Sequence, residues 1–203
     1  MIDKFICGPL FENCYVISEG SECIIVDPGQ SFLRASELIK QRYSVKAIFI
    51  THGHIDHIDG IKYFNSPIYI SNEDKNILLD PYKSLYDFFG LAYPFENMKL
   101  DFRVVDDNEE FELIGHKFKA LKTPGHTNGS ICFLMDNKYL FSGDTLFRSS
   151  CGRTDFPTGD SESMEDSLNR LVDTLDEGTV VYPGHEDSTT ILDEKHKNPY
   201  ISK

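Results

Sequence analysis

The segment HGHIDHIDG, His52 to Gly60, limits what this chain can fold into more than any other feature. It places three imidazoles, His52, His54 and His57, and one carboxylate, Asp56, within six positions. Directly before it runs VKAIFIT, a β-branched stretch of the length expected for a buried strand. The same local form recurs further on: a strand-like apolar run stops, and a polar residue follows in a glycine-containing turn. His126 sits so in TPGHTNGS, Asp144 in FSGDTLF and His185 in YPGHE. In layered α/β proteins ligands gather where strands end. Glycine lets the backbone turn sharply and come close to a bound group. Turns after different strands can therefore converge.

Imidazole and carboxylate together suit zinc, iron or manganese, and the candidate set contains no cysteine, which argues against a thiolate structural zinc site. Five histidines and two carboxylates exceed what one tetrahedral ion takes. Two ions sharing a carboxylate is the simplest division. A single histidine in a turn is ordinarily a surface residue, so the weight rests on the cluster and on the repetition of the strand-end form. Of the 7 histidines, His116 and His196 lie outside such settings and are read as ordinary polar residues.

The remaining pattern points to alternating strands and helices. NCYVIS and CIIVDPG read as strands, the second closed by a turn. A helix is expected from about Ser31 to Tyr43, with Ser31 as its cap. PIYIS reads as a short strand and Asn72 to about Leu79 as a short helix. The aromatic stretch between Asp80 and Phe102 has no clear period; it suits a lid over a pocket, core packing or a dimer contact. FRVVDD, EEFELI, HKFKALKT, SICFLMDN and KYLFSGD read as a run of antiparallel strands, Ser161 to Leu175 as a helix, TVVYPGHE as a last strand and turn, and TTILDEKHK as a final helix. Interleaving of this kind suggests stacked layers of sheet and helix.

Length bounds the organisation: 203 residues suit a single domain, 1–203, able to bury roughly 70% of its unfolded surface. The 33 Asp and Glu outnumber the 20 Lys and Arg, for a formal charge of −13. That field repels phosphate backbones and anionic lipid, so neither nucleic acid nor membrane is expected as a partner. The 5 cysteines are odd in number and form no C-x-x-C pair. Reduced thiols, the lack of a signal-peptide pattern at MIDKFICG and the lack of a membrane-length apolar run lead to the expectation of a cytoplasmic protein, monomer or homodimer.

THGHIDH resembles the H-x-H-x-D-H signature of the metallo-β-lactamase fold superfamily, and TPGHTNGS, SGDTLF and YPGHE resemble its later metal motifs in the right order. The resemblance runs from about Cys14 to the C-terminus. It implies an α/β, four-layer αββα sandwich with the site at one edge. It implies that His52, His54 and His126 hold one divalent ion, that Asp56, His57 and His185 hold a second, and that Asp144 bridges them. Zinc is the ion expected first, with iron or manganese as alternatives. Asp27, in IIVDPG, matches an aspartate that supports the metal loop from behind without binding metal.

Within the superfamily, GDTLFRSSCGRTDFPTGD and the ending PGHEDSTTILDEKHKNPYI are similar to short bacterial glyoxalase II-like hydrolases. The implied activity is hydrolysis of a thioester by a metal-bridging hydroxide, with Asp56 or Asp144 orienting it. Persulfide dioxygenases, which use one iron, share CGRTDF and stand as the rival, and a lactone or ester hydrolase is a further alternative. Arg153 matches a basic residue that contacts glutathione in long glyoxalase II enzymes, but Asp155 stands where those have tyrosine. Only 18 residues follow His185, where the long enzymes carry a helical domain that helps bind glutathione. The expectation is therefore a small-molecule acyl substrate with little preference for glutathione as the thiol carrier. Arg153 is the candidate anion contact, Arg148 a weaker one, and Cys151 a packed thiol.

Overall fold

The computed structural model describes residues 1–201. Its first half builds strands β1 (Ile2–Cys7), β2 (Glu12–Glu19), β3 (Glu22–Val26), β4 (Ser44–Phe49), β5 (Ile68–Ile70) and β6 (Phe102–Val104), with helices α1 (Leu33–Arg42), α2 (Ile55–Ile58), α3 (Asn72–Leu78) and α4 (Tyr86–Phe89) in the connections. These six strands form one sheet in chain order. β1 pairs with β2 and β2 with β3 antiparallel, and β3 to β6 run parallel. The second half supplies β7 (Glu110–Leu113), β8 (His116–Lys122), β9 (Ile131–Met135), β10 (Tyr139–Gly143), a small hairpin of β11 (Leu146–Phe147) and β12 (Ser150–Cys151), helix α5 (Ser161–Thr174), β13 (Val180–Pro183), β14 (Thr189–Thr190) and α6 (Ile191–Lys197). The second sheet has the order β14-β13-β10-β9-β8-β7.

Side-chain alternation explains why the sheets stack. Ile24 and Val26 of β3, with Ile131, Phe133 and Met135 of β9, enter the core between the sheets. Cys23 and Ile25 face outward with Phe32 and Ile39 at α1. Cys132 and Leu134 face outward to Met164, Leu168, Leu171 and Val172, one stripe of α5. Both strands are buried on two faces and so read as continuous apolar runs. At the centre Phe49 stacks on Phe133 across the sheets, ring centroids 4.5 Å apart, with Phe118 edge-on at 5.0 Å. The layers are helix, sheet, sheet, helix, the αββα order that the motifs imply.

Several local expectations are corrected. Ser31 does not cap α1: it turns with φ 60°, and the helix starts after Phe32, which is buried and gives no side-chain cap. Burial of Phe32 sets the start in place of the hydroxyl. β1 was not legible because its apolar residues follow no single burial pattern, Ile2 and Phe5 half-buried, Ile6 exposed and Cys7 buried, and are interrupted by Asp3 and Lys4. FRV joins the first sheet parallel to β5 and is no part of the antiparallel run. Thr189 and Thr190 form an edge strand on β13 ahead of α6. The aromatic segment divides: Leu85, Tyr86 and Phe95 are core, whereas Tyr82 and Phe88 are exposed. Among the described residues no helix is long and apolar enough to cross a membrane.

Topology fixes where the polar turns emerge. β3 and β4 are parallel neighbours, so the chain leaves both at one edge. In the second sheet β8 and β10 are each antiparallel to β9, and β13 is parallel to β10, so β8, β10 and β13 all end at one edge too. Backbone bonds tie these two edges together: Ile131 N–H to Thr51 C=O at 2.9 Å and Asn13 N–H to Gly184 C=O at 2.7 Å. Because Phe49 anchors the strand that carries this edge, Phe49→Ala should destabilise the fold by about 3–5 kcal/mol, the usual cost of emptying a buried aromatic site. Urea unfolding with an unchanged m-value is the measurement; a loss below about 1 kcal/mol would mean that the sheets do not depend on this contact.

Candidate metal centre

All seven candidate ligands meet at the joined edge. His52 and His54 follow β4, and Asp56 and His57 lie on the short helix α2. His126 follows β8, Asp144 follows β10, and His185 follows β13. Three trios, His52/His54/His126, His52/Asp56/His57 and His57/Asp144/His185, each offer ligand atoms within 4.8 Å of one another. His126 Nε2 lies 2.9 Å from His54 Nδ1 and 3.2 Å from His52 Nε2. Asp144 sits between the groups: Oδ1 is 3.3 Å from His57 Nε2, and Oδ2 is 3.7 Å from His126 Nε2 and 3.6 Å from His185 Nε2. Asp56 Oδ2 lies 3.4 Å from His185 Nε2.

The outward nitrogens are held by the scaffold, and this sets which nitrogen faces inward. Asp27, directly after β3, accepts from Thr51 N–H at 2.8 Å and Thr51 Oγ1 at 2.6 Å, and its Oδ2 is 2.9 Å from His57 Nδ1. A carboxylate there favours the proton on Nδ1 and leaves the Nε2 lone pair turned to the cluster. His126 Nδ1 meets Arg153 C=O at 2.7 Å and His185 Nδ1 meets Leu10 C=O at 3.2 Å, with the same consequence. Close approach also demands glycine: a Cβ at Gly184 would collide with Asp144 Oδ1 and His57, and Gly143, at φ 50°, has Thr51 against it.

Charge is divided within the cluster. Burial holds His52 well below the ordinary imidazole range, reinforced by His57, His126 and His54. Burial likewise pushes His54 down to about 3, with His126 beside it adding to the effect. Both are thereby neutral, the form that binds metal. At His57 burial opposes charge, yet without a cation Asp144, Asp56 and Asp27 outweigh it and push the group well up, and a cation at Nε2 would take the place of that second proton. At Asp144 burial also opposes charge, but His57 and His185 hold the carboxyl well below its usual range.

The donor set fits divalent cations. His54 Nε2, His57 Nε2 and Asp144 Oδ1 are buried with no hydrogen-bond partner. An orphaned buried polar atom costs about 1–3 kcal/mol, and His57 Nε2 and Asp144 Oδ1, 3.3 Å apart beside the inward-facing His54 Nδ1 and His126 Nε2, call for a common partner. Imidazole nitrogens within 3.2 Å of one another, with carboxylates between them, suit a cation better than any neutral ligand.

Above the ligands opens a cavity of about 300 Å³, walled by Leu10, Leu85, Phe89, Phe147 and Phe156, with Arg153 at its edge. A larger groove of about 580 Å³ lies behind Arg153, between α5 and the C-terminal residues, and holds none of the seven ligands. Arg148 lines neither and faces Asp187 at 3.8 Å. Cys151 is half-buried, its thiol pushed up by burial. His116 pairs with Asp136 at 2.6 Å where β8 begins, and His196 is exposed on α6.

Sequence reasoning missed Asp74. It is fully buried, and its carboxylate joins the two histidine loops: Oδ1 accepts from Gly53 N–H at 2.7 Å and Oδ2 from Thr127 Oγ1 at 2.7 Å. Burial pushes its carboxyl up to about 7, against the pull of these two bonds. The only local signal is that Asp74 stands three residues after Ser71, which caps α3 through Asp74 N–H at 3.1 Å. Nothing in that spacing says that the side chain reaches another loop.

A family model described as the metallo-beta-lactamase superfamily matches residues 7–185. The hydroxyacylglutathione hydrolase GloC of Haemophilus influenzae is 32% identical over 94% of this chain and 93% of its own length. Among solved structures, the BLEG-1 B3 metallo-beta-lactamase is 30% identical with a TM-score of 0.90 over the whole of both chains. The protein TTHA1623, solved in a di-iron-bound form, is 30% identical with a TM-score of 0.81 over 98% of this chain and all of its own.

Removing the Asp74 carboxylate should loosen both histidine loops. Asp74→Ala is expected to weaken metal binding by about 10–100-fold, as for other supporting groups, with Asp74→Asn recovering part of the loss. Competition against a chromophoric chelator reads this directly. Unchanged affinity in a folded Asp74→Ala protein would refute the link.

Proposed function

The chain belongs to the metallo-beta-lactamase superfamily, and on that footing we propose that it is a binuclear metal-dependent hydrolase of thioesters. The observation that carries the reading is the placing of two ligand groups, with Asp144 between them, on the floor of one cavity. His52, His54 and His126 would hold one ion, and Asp56, His57 and His185 the other. An enzyme working with one iron would have little use for the second set. The di-iron-bound neighbour supports a site of two ions, and zinc is the ion we assign first. Bound there, such ions polarise a carbonyl and lower the pKa of water from ~15.7 towards ~7.

The chain's own residues supply the rest. Asp56 and Asp144 face the cavity as carboxylates and orient the attacking water by accepting its hydrogen bond. Asp27 keeps His57 in its inward-facing tautomer. The leaving group selects the substrate class. Among the described residues, the titratable groups lining the cavity are the candidate ligands and Arg153, which leaves no further side chain there to protonate a departing amine. A thiolate, with a conjugate acid of pKa about 8.5, departs without a proton. Thioesters are thus favoured over amides and lactams. The Haemophilus influenzae relative, named for hydroxyacylglutathione, is in keeping with this class.

Treatment with a chelator should abolish thioester hydrolysis, and zinc, iron or manganese should restore it. Asp144→Ala should lower metal stoichiometry and turnover together, the latter by at least about 100-fold, beyond the range typical of supporting residues. His116→Ala and His196→Ala should leave metal content unchanged. Full activity in a verified metal-free sample would end the proposal. Oxygen consumption on glutathione persulfide without thioester hydrolysis would assign a dioxygenase, and faster turnover of a β-lactam would assign a lactamase.

A further inference from the structure

The walls of the cavity are more telling than its floor. Leu85 and Phe147 are 4% and 9% exposed and line its depth, while Leu10 and Phe89, at 44% and 43%, stand at the mouth. Two aromatic rings flank the ligands from opposite groups: Phe156 lies edge-on to His54 at 5.7 Å, and Phe147 edge-on to His185 at 5.9 Å. Apolar surface therefore borders the reacting position directly and keeps stray water from it.

Among the described residues, the one cationic side chain on the wall is neutralised. Arg153 Nε and Nη2 meet the two oxygens of Asp155 at 2.6 and 2.7 Å, and the guanidinium lies over Phe156 at 4.0 Å from the ring centroid. The pair is exposed and easily parted, but Asp155 stays beside Arg153 whether or not the bonds are made. The unit offers an incoming carboxylate no net positive charge. At about 300 Å³ the cavity is also at the small end for ligand sites, a size that suits an acyl group.

We propose that this cavity is the subsite for an uncharged, apolar acyl group, with Phe89 and Leu10 closing over its far end and the Arg153–Asp155 pair serving as wall. The proposal rests on the hydrolase reading for its orientation, with the acyl carbonyl towards the ligands, and narrows that reading to substrates with hydrophobic acyl chains.

Binding of the product acids separates the two. Acetate, butyrate, hexanoate and succinate would be titrated calorimetrically into the metal-loaded protein and into metal-loaded Phe89→Ala, a substitution at a half-exposed position that a thermal melt checks for folding. Affinity should rise about fourfold for each added methylene up to hexanoate, the gain expected for burying that group. Succinate should bind no tighter than butyrate. Phe89→Ala should cut the hexanoate-to-acetate ratio by at least about threefold. A flat series, or succinate tighter than butyrate, overturns the proposal. Thioesters of the same acids on one small thiol complete the test, with kcat/KM expected in the same order. If none is hydrolysed while the acids keep their order, the subsite stands and the hydrolase reading falls; hydrolysis without any chain-length preference overturns the subsite.

Discussion

Seven polar side chains crowded into one largely buried place are the constraint around which this molecule is arranged. Imidazoles with lone pairs turned towards each other, and carboxylates between them, repel or go unsatisfied unless something outside holds each in position. The holding is done at the outward atoms: Asp27 on His57, the Arg153 carbonyl on His126, the Leu10 carbonyl on His185. Asp74 clamps the backbone between His52 and His54 to the loop after His126. Each clamp comes from a different stretch of chain, so the site exists only when the whole fold does.

The sheets make that assembly possible. Tight packing of Phe49 on Phe133 and Phe118 sets two sheets face to face, and parallel strands within each deliver their turns to one shared edge. The backbone bonds from Ile131 to Thr51 and from Asn13 to Gly184 fix the edges relative to each other. Glycines at 143 and 184 remove the side chains that would otherwise keep Thr51, Asp144 and His57 apart. Small changes in sheet stacking would therefore move ligands from opposite halves of the chain against one another, which ties stability of the core to competence of the site.

The candidate ligands and the cavity walls come from different elements. The candidate ligands lie at strand ends, on the rigid frame. The cavity walls come from the turn after β1, the aromatic segment around α4, β11 and the loop ahead of α5. Loops of this kind can change without disturbing the metal site, which is how one frame serves several reactions. The wall in this chain is mostly apolar, its one arginine paired with a neighbouring aspartate.

The sequence by itself determined the seven candidate ligands and their place at strand ends, because apolar runs stopping in His- or Asp-bearing glycine turns are local patterns, and the order of those turns carried the family. Asp27 was marked only by the resemblance, as a supporting aspartate, and the fold sets it against Thr51 and His57. Tertiary structure alone decided the rest. Asp74 reads as part of a helix start, and its bonds to Gly53 and Thr127 join positions 21 and 53 residues away. Burial of Phe32 moved a helix start that the local pattern places at Ser31. The aromatic segment held no period because its residues serve two surfaces at once: Tyr86 and Phe95 the core, Phe89 the cavity. By position Arg153 was the candidate anion contact, and only the fold shows it laid between Asp155 and the ring of Phe156. A side chain's partners across the chain depend on packing, and packing has no signature in the spacing of residues.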